Sequence, residues 1–254
     1  MSQETGSAQA ARRIPTLRIG CAGWSLRNEQ AVLAPGDGTH LERYARVFDA
    51  VEINSSFYRP HRPQTYARWA QSVPEGFRFA VKMPKAISHG KRLRDCVGEL
   101  DVFLAQVREL GATLGVLLLQ LPPSLAFERR SACAFFDALR ARHAGPVACE
   151  PRHASWFVAG VDADLRERGI SRAAADPARV SRAAVPGGDH AFEYLRLHGS
   201  PRVYYDAYAD ETLHRVARRM ARESVDVHER WCIFDNTAAG HAMTDALALR
   251  ARLG

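Results

Sequence analysis

The residues able to do chemistry sit at the ends of short apolar runs. Glu52 and Asn54 close VEIN, Lys82 lies near the end of FRFAVKM, Gln120 falls in LLLQL, Glu150 and Arg152 end VACEPR, and Arg196 and His198 end YLRLH. Side chains alternate between the two faces of a strand. Glu52 and Asn54 therefore lie opposite Val51 and Ile53, and Lys82 opposite the face of Phe77, Phe79 and Val81. By the same alternation Gln120 lies opposite Leu119 and Leu121, Glu150 shares a face with Arg152 when the run stays extended through Pro151, and Arg196 and His198 lie opposite Leu195 and Leu197. Carboxylates beside an imidazole suit general acid–base work, and guanidinium forks suit bidentate binding of a phosphate or carboxylate. A buried set of this kind must pair internally or bind something. It is therefore either an ion-pair network that fastens strands together or a site.

Eight such runs recur along the chain, at 17–22, 50–54, 77–83, 115–121, 146–150, 171–174, 192–198 and 231–236. Between them apolar residues return at helical spacing, as in Leu41, Tyr44, Ala45 and Phe48, in Leu100, Phe103, Leu104 and Val107, and in Leu213, Val216, Ala217 and Met220. Pro63 suits a first helical turn, Gly111 a helix end, and Asp210 a cap. Alternation of strand and helix implies parallel strands joined by crossover helices, and eight strands point to an irregular TIM-like (β/α)₈ barrel in the α/β class. The segment DPARVSRAAVPGGDHA holds two prolines and a Gly-Gly pair, which predicts a missing or very short helix near residues 175–191. Residues 1–16 read as a disordered leader and 17–254 as a single barrel domain.

In that fold the polar ends meet at the carboxyl-terminal mouth, where barrels of this kind carry their sites. Gly20 and Ala22 are expected to leave room there and Trp24 to form an apolar wall. Asp235 and Asn236 both end the eighth run; alternation does not decide between them, and Asn236 is preferred as the inward group. Gln120 precedes Pro122 and Pro123 and also suits a purely structural amide.

Composition narrows the function classes. The 254 residues are 46% hydrophobic and 25% charged, ordinary for a chain that buries a full core. The five cysteines show no CxxC spacing, so neither a zinc knuckle nor a disulfide framework is suggested, and a reduced, cytoplasmic setting is expected. No apolar run approaches the roughly 20 residues that span a bilayer. The net charge of +7 is spread along the chain without a basic run interleaved with aromatics, which argues against nucleic acid as partner. Lys82, Lys85 and Lys91 are the only lysines, arginine supplying every other cation.

The blocks IGCAGWS (19–25), VEINSSFYR (51–59), FRFAVKMPKAISH (77–89), LLLQLPPSL (117–125), EPRHASWF (150–157), YLRLHG (194–199) and FDNTAAGHA (234–242) resemble the YecE-like family, domain of unknown function 72, from about Leu17 to the end of the chain. The resemblance implies a TIM-barrel-like fold. It also implies an acid, an arginine and a histidine in the fifth block, matched by Glu150, Arg152 and His153. Pro151 and Ala154 depart from the family pattern there, as does the segment after Trp24. No reaction is implied.

Three functions follow. In the first, an enzyme acts on a small phosphorylated or carboxylated substrate, with Arg152, Arg196 and Lys82 clamping the anion, Glu52 or Glu150 as general base and His198 as general acid; Asn54, Gln120, His153, Asn236 and Trp24 would line the substrate. A narrower variant makes Lys82 a Schiff-base nucleophile, against an ion pair with Glu52. In the second, a metal-dependent hydrolase or nuclease uses Glu52, Glu150, His198 and Asp235, although no HxH or HExxH spacing occurs. In the third, the mouth binds an anion without turnover. The sequence identifies no cofactor, metal ligand set, membrane contact or protein partner.

Overall fold

The computed structural model describes residues 12–254. Its strands are β1 (Thr16–Ala22), β2 (Ala50–Ile53), β3 (Arg78–Lys82), β4 (Leu114–Gln120), β5 (Val147–Glu150), β6 (Ile170–Arg172), β7 (Ala174–Asp176), β8 (Gly187–Gly188), β9 (Phe192–Leu197) and β10 (Glu229–Phe234). Hydrogen bonding runs in the order β7-β9-β10-β1-β2-β3-β4-β5-β6-β8, parallel except between β6 and β8. β6 and β7 are one extended segment interrupted at Ala173: its first half pairs with β5 and its second with β9. That segment brings the two ends of the sheet together, so the chain forms an eight-position barrel as the eight runs predict.

The helices are α1 (Asn28–Leu33), α2 (His40–Ala45), α3 (Ser55–Tyr58), α4 (Pro63–Gln71), α5 (Val97–Val107), α6 (Arg129–Arg140), α7 (Ala159–Glu167), α8 (Asp210–Met220) and α9 (His241–Ala251). Local chemistry starts several of them. Pro63 opens α4, the Glu128 carboxylate accepts from the Arg130 and Ser131 amides ahead of α6, and Thr39 and Glu42 form a reciprocal capping box at α2. Asp210 is the first residue of α8 and not its cap, a position held by Ala209. Every apolar residue read at helical spacing on α2, α5 and α8, and Phe48 beyond α2, is buried. The crossover after β7 has no α-helix. It holds a 3₁₀ turn, Ser181–Ala184, and the two-residue β8 folded back antiparallel on β6, in line with the prolines and glycines of that stretch.

Two apolar layers result. Ile19, Val51, Phe79, Val81, Leu117, Leu119, Cys149, Leu195 and Phe234 face the helices. The opposite face fills the barrel: Ala50, Ala80, Val116, Leu118, Ala148, Phe192, Tyr194, Trp231 and Ile233. Small residues surround large ones inside, and a Cβ on Gly115 would come within 2.7 Å of the Trp231 ring, so Trp231 plugs the lower barrel only because Gly115 has no side chain. Gly20 plays a similar part elsewhere. A Cβ there would lie 2.0 Å from the Ala50 carbonyl and 2.9 Å from the Tyr44 hydroxyl, so Gly20 admits the bridge from Tyr44 to β2 and does not make room at the mouth.

The expected leader is ordered near its end. Arg13 exchanges backbone hydrogen bonds with Ser224, and Thr16 already belongs to β1; residues 1–11 lie outside the described residues. Among the described residues no helix is long and apolar enough to cross a membrane. All five cysteines are free, and burial pushes the Cys21 thiol up to about 12.

Candidate functional site

At the top of the barrel three carboxylates converge on one guanidinium. Arg196 donates from Nε to Glu52 Oε2 at 2.9 Å and from Nη2 to Glu52 Oε1 at 2.6 Å, from Nη1 to Glu150 Oε2 at 2.6 Å, and from Nη2 to Asp235 Oδ2 at 2.9 Å. Tyr194 completes Glu52 with a hydrogen bond of 2.8 Å to Oε2. Arg196 and Glu52 have no exposed surface. Burial opposes the charge on Arg196, but Glu52, Glu150 and Asp235 together hold its pKa above the ordinary value. The expectation that Arg196 clamps a substrate and Glu52 acts as a base therefore gives way to a different arrangement: both are sealed below the mouth and spend their hydrogen bonds within a network that also holds Tyr194, Glu150 and Asp235.

The second tier faces outward. His198 Nδ1 lies 3.0 Å from Asp235 Oδ2, and Nε2 makes an ion-pair contact with Glu150 Oε1 at 3.4 Å without the alignment of a hydrogen bond. Burial alone lowers the His198 pKa, but Glu150 and Asp235 outweigh it and raise the value above the usual one. Glu150 also accepts from Gln120 Nε2 at 3.2 Å and from Arg152 Nε at 2.9 Å. Burial raises its carboxyl, and Arg196, His198 and Arg152 together hold it well below the usual carboxylate range. Asp235 is held down in the same way by Arg196 and His198 against its burial. His198 is thus an imidazolium in the making between two carboxylates that stay ionised.

Glu150, Arg152 and His198 open onto a cavity of about 240 Å³ whose other walls include Phe157, Arg179 and Tyr204. Tyr204 lies in a loop after β9 with φ +71, a left-handed conformation unusual for a residue with a side chain. Its ring meets His198 edge-on at 5.6 Å and its hydroxyl accepts from Arg152 Nη2 at 3.3 Å. Strained residues of this kind concentrate where structure serves binding.

Lys82 ends β3 beside this ring, with its ammonium 4.3 Å from the centroid of the Phe57 ring. The expected ion pair with Glu52 is absent, because Arg196 and Tyr194 occupy both oxygens of that carboxylate. Burial and the Arg196 charge bring the Lys82 pKa down to about 8, against the pull of the three carboxylates.

The remaining expected site residues serve other ends. Asn236 points away from the ring: its Nδ2 donates to the Asp206 carbonyl at 3.0 Å and to Asp245 Oδ2 at 2.7 Å, which ties down the loop carrying Tyr204. Asp235 takes the inward place instead. Trp24 packs edge-on against Trp69 at 5.0 Å and near Phe79, in the layer beneath the helices and not on the mouth. His153 caps the 3₁₀ turn Ala154–Trp156, its Nδ1 accepting from the Ser155 amide at 3.2 Å. Asn54 occupies the position before α3, and its Oδ1 is buried without a partner. Tyr194, Tyr204, Arg179 and Phe57 were not singled out by sequence; of these only Tyr194 had a usable signal, its place two residues before Arg196 on the same strand face.

Over residues 18–254 the chain matches the family described as Protein of unknown function DUF72. It belongs to that family. It is 34% identical over 154 residues to UPF0759 protein YecE of Escherichia coli strain K12, covering 58% of this chain and 56% of that protein. To UPF0759 protein YunF of Bacillus subtilis strain 168 it is 25% identical over 147 residues, covering 55% and 51%. The matched chain spans about half the length of these relatives. Among solved structures, a DUF72 family protein of Enterococcus faecalis V583 superposes with a TM-score of 0.78 at 21% identity, covering 94% of this chain and 95% of that one. A DUF72 family protein of Thermotoga maritima MSB8 gives 0.75 at 24% identity, covering 94% and 99%. These likenesses establish the DUF72 barrel fold and assign no reaction.

Proposed function

We propose that the mouth of the barrel carries out general acid–base chemistry on a small anionic metabolite bearing a phosphate or carboxylate. The observation that carries this reading is the placing of the Arg152 guanidinium and the His198 imidazole together on the wall of the mouth cavity, with Asp235 fixing the His198 Nδ1. A general acid needs a retained proton and a fixed orientation; Glu150 and Asp235 raise the His198 pKa above its usual value, and Asp235 fixes the ring. Arg152 supplies the anion clamp: its Nη1 has no protein partner among the described residues, while Nε and Nη2 are held by Glu150 and Tyr204. Glu150, the one carboxylate of the ring on the cavity wall, is engaged by Arg196, Gln120 and Arg152 and stays ionised, so it orients Arg152 and His198, and the imidazole itself is the group that exchanges the proton. Glu52, Arg196 and Asp235 act through these groups as positioning residues.

The metal-dependent alternative has no observation in its favour. The carboxylates that would ligate an ion converge on the Arg196 guanidinium, and among the described residues no three His, Cys, Asp or Glu side chains are placed to hold one. Anion binding without turnover shares the same geometry and is separated from catalysis by experiment.

A thermal-shift screen of phosphorylated and carboxylated metabolites, each beside a neutral isostere, tests the proposal. An anion at 100 times its Kd is expected to stabilise the protein by about 2.7 kcal/mol. Arg152→Ala is expected to weaken that binding about tenfold or more. His198→Gln is expected to keep binding and lose roughly 10²–10⁴ in turnover. Equal stabilisation by the neutral isosteres, or wild-type binding by Arg152→Ala, would overturn the reading.

A further inference from the structure

The crossover without an α-helix leaves a gap beside the outer face of β7 and β9, whose Leu195 and Leu197 are themselves buried. The gap is a groove of about 740 Å³, floored by Leu195 and Leu197 and walled by Val216 of α8. It is far larger than the cavity at the mouth and lies on the other side of the β9 strand from Arg196.

Its rim is basic and poorly neutralised. Arg215, Arg219 and Arg222 line the groove, and among the described residues none has a carboxylate within the 4.0 Å of an ion pair. Glu193, the acid facing them from β9, is already bound by Arg230 at 2.7 Å. Arg219 is the least satisfied of the three. Its Nη1 reaches the Ala184 carbonyl at 3.3 Å, and its Nε is shut off from solvent with no acceptor. Burial lowers its pKa, with Arg230 and Arg222 adding to the effect and Glu193 opposing it. The Arg219 Nη2 has no partner among the described residues and, unlike Nε, is not sealed from solvent, so an incoming anion can take a charge-assisted bond there.

We propose that this groove binds a small amphipathic anion, its apolar body lying on Leu195, Leu197 and Val216 and its single carboxylate or phosphate on Arg219. The apolar floor supplies an area-proportional gain, and the charge-assisted bond to Arg219 fixes the orientation. Glu223 and Asp226 also line the groove. They repel further negative charge, which favours a singly charged carboxylate over a phosphate monoester, mostly doubly charged at neutral pH. This site is independent of the acid–base reading of the mouth.

Isothermal titration of the full chain with octanoate, octyl phosphate and octanol tests it, and the first two distinguish the carboxylate from the phosphate head. At least one anion is expected to bind about tenfold or more tighter than octanol, with Arg219→Gln losing about tenfold of that affinity. Thr212→Trp fills the groove from the surface of α8 with Arg219 intact and is expected to abolish binding, so the test survives a misfolded Arg219 variant. Arg152→Ala, at the mouth, is expected to bind the anion as wild type does. Three results would each overturn the proposal: no binding of either anion, octanol binding as tightly as the anions, or full affinity in folded Thr212→Trp.

Discussion

Arg196→Met is expected to destabilise the fold by about 3–5 kcal/mol, because removing one member of a buried ionic network leaves the others charged and unpaired. Here a single substitution strands three carboxylates, Glu52, Glu150 and Asp235, each within 2.9 Å of the guanidinium. Methionine roughly fills the volume, so loss of packing contributes little. The double variant Glu52→Gln with Arg196→Met is expected to recover part of the loss, since it removes the carboxylate with two bonds to the arginine. Urea denaturation of wild type, single and double variants measures both quantities. A single-variant loss below about 1 kcal/mol, the level of an exposed pair, would mean that Arg196 is an available clamp and not the hub of the network.

The second large effect is a stability profile with two opposed limbs. Glu150 and Asp235 have folded pKa values below their ordinary ones, so their contribution is complete above those ordinary values and is lost as pH falls through the depressed ones. His198 is raised above its usual 6.5; its contribution is complete below 6.5 and is lost as pH rises through the folded value. Each unit of that elevation is worth about 1.4 kcal/mol, or about 3–6 °C in Tm for a chain of this size. Lys82 titrates near 8 in the folded state and acts in the opposite sense, since a lowered amine pKa penalises the charged form below it. His61, His89 and His143 have lowered pKa values and raise stability with pH in both proteins. The quantity read between about pH 6 and 7.5 is therefore the difference in melting temperature between wild type and His198→Gln, which is expected to fall as pH rises, with the acid limb kept in both. A slope shared by the two proteins would assign the effect to another group.

Much of the barrel was legible because its strands alternate cleanly. Phe79, Val81, Leu195 and Leu197 mark the helix-facing side without ambiguity, so Lys82, Arg196 and His198 could be placed on the other. The missing helix was equally plain from its prolines and glycines. Alternation gives a face but no depth, which is why Arg196 read as a clamp at the surface when it is the buried centre of the network. The eighth strand failed for another reason: Trp231, Cys232, Ile233 and Phe234 are apolar on both faces, so no contrast chose Asp235 over Asn236. Trp24 and His153 lie past turns, after Gly23 at φ +102 and after Pro151 respectively, where strand parity no longer holds. Tyr204 sits in a loop whose conformation no periodicity encodes.

His198 is expected to be an oriented acid with its pKa above the usual imidazole value, and the protonation of that ring is directly observable. Long-range ¹H–¹⁵N correlation spectra of histidine-labelled protein, with His198→Gln used for assignment, report the protonation of both ring nitrogens from pH 5.5 to 8. The prediction is a His198 ring that titrates above 6.5, with Nδ1 protonated toward Asp235 throughout and an Nε2 signal that moves when an anion stabilising the mouth is added. A ring neutral at pH 6.5 in the folded protein, or an Nε2 signal indifferent to such an anion, would contradict it.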